Sequence, residues 1–248
     1  MSNRSLWRDP LIWLSALFVF FLVGMGLLRP VFVWAFPAIQ PPIYAGDSFL
    51  MLWLFHAGLV IVSSLAAAIV GVGAAIVATR KAGEEFRPLL EALATIGQTF
   101  PPAAVLAISV PAFGYGAVPT FMALFLYGIL PVLKNSLAGI AGVPEAVRDA
   151  GTGMGLTPWQ ILRDIELPLA APTILAGIRI SVIVNIGTAA IGSTVGAITL
   201  GTPIIGGLVS DKISYVIQGA IVIGLFAILT DMLFERLDQR LRRFAARA

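Results

Sequence analysis

Apolar runs long enough to cross about 30 Å of hydrocarbon, roughly 20 residues each, recur along this chain. No other feature narrows the fold so far. Hydrophobic residues make up 58% of the sequence and charged residues only 12%, which rules out a soluble domain of ordinary composition. The expectation is an all-α polytopic membrane protein, a single helical bundle over residues 1–248. With no cysteine, the chain has no disulfide framework, thiolate metal site or cysteine nucleophile.

Taken in order, the runs predict six spans, at about 11–28, 49–79, 88–112, 120–133, 172–198 and 215–234. The first is longer than the core of a secretory signal, about 7 to 15 residues, and no small-x-small cleavage pattern follows, so a retained span is expected. Arg29 to Ser48, rich in proline, reads as an external connection. Pro101, Pro102 and Pro111 interrupt the third run and Pro131 breaks the fourth, whose inner end is marked by Lys134. Such prolines free backbone carbonyls, which a membrane tolerates only where protein or water meets them. Phe113 to Pro119 is a charge-free turn, and Thr199 to Ser214 is a Gly-rich external segment.

Charge placement orients these spans. With an inside N-terminus, Arg4, Arg8, Arg80, Lys81, Arg87, Lys134, Arg148, Arg163, Arg236, Arg240, Arg242, Arg243 and Arg247 fall inside, thirteen of the 16 basic residues. Arg29 and Lys212 fall outside, and Arg179 lies near the start of the fifth span. This is the positive-inside distribution of a membrane protein with both termini in the cytoplasm. It accounts for the net charge of +3 without a nucleic-acid partner.

Residues 144–168 form a polar island between these runs. Pro144 suits a first helical position, and Glu145 places negative charge in the first turn. Val147, Ala150 and Met154 recur at helical spacing, and Gly155 is suited to the left-handed conformation that ends a helix. Thr157, Pro158 and Gln160 then read as N-cap, first residue and capping-box partner of a second helix. Ile161, Leu162 and Ile165 line one face of that helix, and Pro168 stops it. The pattern predicts a helix-turn-helix at the membrane surface, where an arbitrary membrane protein would have a plain loop.

This island resembles the EAA loop of ABC importer permeases, Glu-Ala-Ala, three residues, Gly, nine residues, Ile-x-Leu-Pro. The match is Asp149-Ala150-Gly151, Gly155 and Ile165-Glu166-Leu167-Pro168. Asp149 replaces the usual Glu and keeps the charge. Gly151 replaces Ala and is expected to loosen the helix by up to about 1 kcal/mol. What the resemblance implies is a coupling site made of Arg148, Asp149, Ala150, Gly151, Gly155, Ile165, Leu167 and Pro168, with the first helix seated in a groove of a cytoplasmic ABC ATPase. The chain has no P-loop of its own, because none of Lys81, Lys134 and Lys212 follows a glycine. It carries no cofactor by this reading, and ATP with Mg would sit on the partner ATPase.

The likeness extends to Gln98-Thr99-Phe100-Pro101-Pro102, Asn185-Ile186-Gly187-Thr188-Ala189 and Ile191 to Ala197, together with Gly201 and Gly206-Gly207-Leu208. These resemble osmoprotectant permeases of the glycine betaine, choline and carnitine group. The resemblance implies a bacterial inner-membrane subunit working with a second, heterologous permease and a periplasmic or lipid-anchored binding protein. Methionine, taurine or polyamine import would use the same architecture. A secondary transporter would need mid-span carboxylates, and none is present. One histidine and no cysteine leave little for a membrane enzyme.

Gln98, Thr99, Asn185, Thr188, Ser193 and Thr194 are candidates for a substrate pathway, with helix-packing hydrogen bonds as the competing role. The Gly192 to Gly196 spacing is that of close helix approach. His56 reads as a structural hydrogen-bonding residue. Trp13, Trp34 and Trp53 read as interfacial anchors, and the aromatic cage for a quaternary ammonium belongs to the binding protein of such systems.

Overall fold

The computed structural model describes residues 9–245. Arg4, Arg8 and Arg247, which carry part of the charge argument, lie outside them. The described chain is helical, without strands. The helices are α1 (Pro10–Val23), α2 (Arg29–Ala35), α3 (Phe49–Ala78), α4 (Arg87–Thr99), α5 (Pro102–Phe113) and α6 (Ala117–Ala141). They continue as α7 (Glu145–Gly153), α8 (Pro158–Ile161), α9 (Leu167–Ala189), α10 (Thr202–Val209) and α11 (Ile213–Ala245). Four helical stretches are long and apolar enough to cross a membrane, and six crossings result if two bent pairs each make one.

Several boundaries differ from those read in the sequence. Arg29–Ala35, expected within a loop, is helical with Pro30 in its first turn, where the missing N–H costs nothing. The third run is two helices, Glu84–Thr99 and Pro102–Phe113, broken between them. Pro131 does not break α6, which runs on past Lys134 to Ala141. The ring at 131 removes the N–H that would serve the Tyr127 carbonyl, and Gln98 Nε2 donates to that carbonyl instead at 2.9 Å. The Tyr127 hydroxyl in turn donates to the Phe100 carbonyl at the α4–α5 break. α9 begins at Leu167 rather than Pro172, and the external segment contains α10.

The chain divides into two compact units, and α3, α6, α9 and α11 contribute residues to both. One comprises 9–62, 102–124 and 185–232. Its core gathers Phe18, Leu22, Phe49, Leu52, Leu200, Val222 and Leu229. Trp53, expected at the interface, instead packs edge-on to Phe18 at 5.7 Å and to Phe226 at 6.0 Å. Trp34 is 84% exposed. Gln218 pins the connection before α3, accepting from Tyr44 N at 3.0 Å and donating to the Pro42 carbonyl at 2.8 Å.

The second unit comprises 63–101, 125–184 and 233–245. Ala75, Ala78, Ala94, Leu130, Leu133, Leu137, Ile140 and Ala170 form its core. The many alanines let the helix backbones approach closely. The polar island belongs to this unit.

Candidate functional site

The island folds as a helix, a sharp turn and a second helix. Pro144 is the N-cap of α7 rather than its first residue, and Glu145 opens the first turn. α7 closes in a Schellman arrangement, with Gly155 N donating to Thr152 O at 2.9 Å and Leu156 N to Gly151 O at 3.1 Å. Gly155 has φ +82°, in the region where a side chain is strained. Thr157 then caps α8. Its hydroxyl accepts from Gln160 N at 3.3 Å, and its own N–H donates to Gln160 Oε1 at 2.8 Å.

Pro168 does not stop the second helix. α8 passes through a π turn, Leu162–Glu166, directly into α9, so Pro158–Val195 is one long stretch. Leu167 N donates five residues back to Leu162 O. A wider turn at this point leaves the proline in the first turn of α9, where its missing N–H and its ring are both accommodated.

Gly151 does more than loosen α7. A Cβ there would stand 2.8 Å from Ile165 Cδ1 and 3.4 Å from Ile161 Cγ1. The buried glycine therefore seats α7 against the π turn, with Ile165 as the knob. Leu167 is half-buried, while Asp149, Ala150 and Pro168 are exposed.

Arg148 turns inward. Its Nε donates to Glu166 Oε1 at 2.8 Å and its Nη2 to the Ile140 carbonyl at 2.6 Å. Arg80, just beyond α3, donates from Nη2 to Glu166 Oε2 at 2.5 Å. The Glu166 side chain is 4% exposed and each arginine side chain 31%. One buried carboxylate thus pairs with two cations, and each of its oxygens has a donor. Sequence reasoning passed over both Arg80 and Glu166. The available signal was a lone acidic residue set between Ile165 and Leu167, which an apolar-face reading treats as a spacer.

A second consequence of this geometry is an exposed apolar set. Val147, Met154 and Trp159 are 38%, 72% and 65% exposed on a segment that is otherwise polar. The side of α7 that carries Gly151 packs against Ile165.

The pathway candidates fall in two places. Gln98 and Thr99 lie in the second unit, where Gln98 serves the Tyr127 carbonyl and the Thr99 hydroxyl donates to Ile96 O. Asn185, Thr188, Ser193 and Thr194 lie in the first. There Asn185 is fully buried, Thr188 half-buried and Thr194 exposed. Ser193 Oγ is 2.7 Å from Thr199 Oγ1 and 3.2 Å from Thr202 Oγ1, a hydroxyl cluster that the sequence did not announce. The Gly192 to Gly196 pair is not a packing stripe, because residues 190–195 form a 3-10 turn capped by Gly196 at φ +80°. Gly192 alone makes a close approach, with Thr120 Cγ2 2.5 Å from where its Cβ would be. His56 is fully buried; its Nε2 bonds the Ile186 carbonyl at 3.1 Å and its Nδ1 accepts from Leu200 N at 3.3 Å. Those two partners fix the neutral tautomer protonated on Nε2.

No group of acidic, histidine or cysteine side chains among the described residues is placed to hold a metal ion. What the second unit presents is a helix-turn-helix packed against helices long and apolar enough to cross a membrane. The fold is that of a helical membrane protein. Residues 68–243 match the family described as binding-protein-dependent transport system inner membrane component, and the chain belongs to that family. It is 35% identical over 221 residues to the osmoprotectant import permease protein OsmY of Salmonella typhimurium, covering 89% of this chain and 93% of that one. It is 42% identical over 149 residues to the choline transport system permease protein OpuBB of Bacillus subtilis, covering 60% and 69%. The fold is that of a chain in the inward-facing MetNI methionine ABC transporter, with TM-score 0.67 and 19% identity over 88% of this chain and 98% of that one.

Proposed function

We propose that this chain is the permease subunit of an ATP-driven importer that moves glycine betaine or a related quaternary-ammonium osmoprotectant into the cytoplasm. The observation that carries the reading is 35% identity to an osmoprotectant import permease across 89% of the chain. The site supports the coupling half of it. Exposed Val147, Met154 and Trp159 give α7 and α8 an apolar surface outside the spans, the kind of patch that marks a protein interface. A cytoplasmic ABC ATPase is the partner we assign to that surface, with ATP and Mg on the ATPase. Closure of the ATPase dimer would push α7, and the spans would alternate between outward and inward openings. A second permease chain and a periplasmic or lipid-anchored binding protein complete the assembly. Thr188 and Thr194 are the hydroxyls we place along the pathway, with Asn185 and Ser193 behind them; Gln98 and Thr99 would act by holding the α4–α5 break.

The test is uptake of labelled glycine betaine by proteoliposomes holding this permease, its partner permease, the ATPase and the binding protein, with and without internal ATP. Uptake that needs both ATP and the binding protein is the expected result. ATPase stimulation without betaine uptake would keep the importer and reject the solute. Uptake indifferent to ATP would reject the importer.

A further inference from the structure

Glu166 joins four elements at one carboxylate. It sits in the π turn, its Oε2 takes Arg80 at the end of α3, and its Oε1 takes Arg148 on α7. Arg148 carries the link on to Ile140, at the end of α6. Arg80 Nη2 also donates to Thr79 Oγ1 at 3.2 Å, and that hydroxyl is bonded to the last turn of α3. Replacing such a buried ionic group by apolar residues commonly leaves stability unchanged or raises it. Stability alone therefore does not account for a buried carboxylate flanked by two guanidinium groups. Geometry does, because charged hydrogen bonds fix direction as well as distance, and these reach Glu166 from α7 and from the turn after α3, with Arg148 tied on to the end of α6.

We propose that Glu166 is a positioning residue that locks the coupling helix α7 to the ends of α3 and α6, so that a displacement of α7 moves all three as one body. The apolar seat at Gly151 fixes where α7 lies, but Ile165 Cδ1 is the end of a flexible side chain and lets α7 roll. The ion triad removes that freedom. The π turn is what brings Glu166 and Leu162, both buried, onto the side facing these partners. Asp149, one residue along from Arg148, is exposed and takes no part in the lock.

This inference rests on the proposed coupling role, and the experiment separates the two. Wild-type and Glu166→Gln permeases are reconstituted with the ATPase, second permease and binding protein, and labelled glycine betaine moved per ATP hydrolysed is measured. ATP-dependent uptake by the wild type tests the importer reading. For Glu166→Gln we expect the transport-to-hydrolysis ratio to fall about tenfold while hydrolysis itself changes little. A part that only stabilised the fold would lower uptake and hydrolysis together, so an unchanged ratio overturns the proposal. Where Glu166→Gln does not assemble, Arg80→Gln leaves the Arg148 pair intact; it should lower the ratio less, and no change again overturns the lock. A second readout needs no substrate. The chain has no cysteine, so spin labels at Glu85→Cys and Thr152→Cys report the distance between the α3–α4 connection and the end of α7. That distance should stay single and narrow through nucleotide trapping in the wild type and broaden in Glu166→Gln. Equal widths in both would overturn the proposal even if betaine is not the solute.

Discussion

Gly155 offers the sharpest test of how the coupling element is built. Its φ of +82° is a conformation that costs a residue with a Cβ roughly 1–2 kcal/mol. A Cβ placed there meets nothing within 4 Å, so no steric cost is added. The penalty is therefore a backbone cost, nearly independent of side-chain size. Gly155→Ala and Gly155→Arg should weaken the turn equally, and Gly155→Asn less, because Asn tolerates the left-handed region. The bonds at stake are Gly155 N to Thr152 O and Leu156 N to Gly151 O. A loss of about 1.4 kcal/mol corresponds to a tenfold rise in turn opening. Amide hydrogen exchange of the α7–α8 turn in the membrane-inserted protein measures this directly. Exchange should quicken by about five- to thirtyfold for Ala and Arg alike and clearly less for Asn. Uptake should separate the first two, since Arg projects from the exposed turn into the surface assigned to the ATPase. Gly155→Arg should insert normally and stop uptake, while Gly155→Ala should retain part of it. Exchange much faster in Arg than in Ala would refute the open-space argument, and normal uptake by inserted Gly155→Arg would refute the coupling role.

Four further expectations concern hydrogen bonds between residues distant along the chain. Tyr127→Phe removes the exposed hydrogen bond to the Phe100 carbonyl at the α4–α5 break, a loss of about 0.5–1.5 kcal/mol, to be read as a lower unfolding midpoint of the purified protein. Gln98→Leu strands the Tyr127 carbonyl that Pro131 cannot serve, and because the two bonds share Tyr127 the double variant should not be additive. His56→Ala orphans both the Ile186 carbonyl and the Leu200 N–H and leaves a void, about 2–5 kcal/mol together; uptake per inserted molecule should survive, since the ring only braces the fold. Gln218→Leu frees Tyr44 N and the Pro42 carbonyl, and the segment before α3 should become the first site of protease cleavage in intact vesicles.

Much of this was legible locally. The Thr157 capping box, the left-handed Gly155 and the break at Pro101-Pro102 each follow from one or two residues whose chemistry permits little else. What the sequence hid was always a partner distant along the chain. Pro131 looked like a breaker because its effect depends on whether the Tyr127 carbonyl finds another donor, and that donor, Gln98, lies on another helix. Trp53 looked interfacial because its ring is amphipathic, but it packs half-buried against Phe18 and Phe226. Gly151 looked like a weakened alanine until Ile165 was found against it. Arg148 looked like a contact for a partner because nothing around residue 148 in sequence shows that Glu166 will reach it. Side-chain spacing reports a helix face reliably only while the helix stays regular, and the π turn at 162–166 shifts the register just where the motif needed reading.

That register shift is held by two devices, and their magnitudes say which dominates. Pro168 withholds an N–H, so the regular α register would leave the Asp164 carbonyl unserved. Restoring an amide with Pro168→Ala makes the α register better by about one hydrogen bond, roughly 1 kcal/mol. Returning to that register would rotate Glu166 away from Arg80 and Arg148. Breaking a buried pair costs about 3–5 kcal/mol, and even half of that, allowing for guanidinium groups 31% exposed, outweighs the gain. Pro168→Ala alone should therefore keep the π turn and most of the uptake. Glu166→Gln alone should keep the turn too, because the proline still forbids the alternative, while losing the lock. Only the double variant is free to become a regular helix, which would swing α8 and its exposed Trp159 about the axis of α9. The expected outcome is a double variant with uptake well below the product of the singles and with Trp159 fluorescence shifted only there. Complete loss of uptake in Pro168→Ala alone would show that the proline, and not the ion triad, holds the turn.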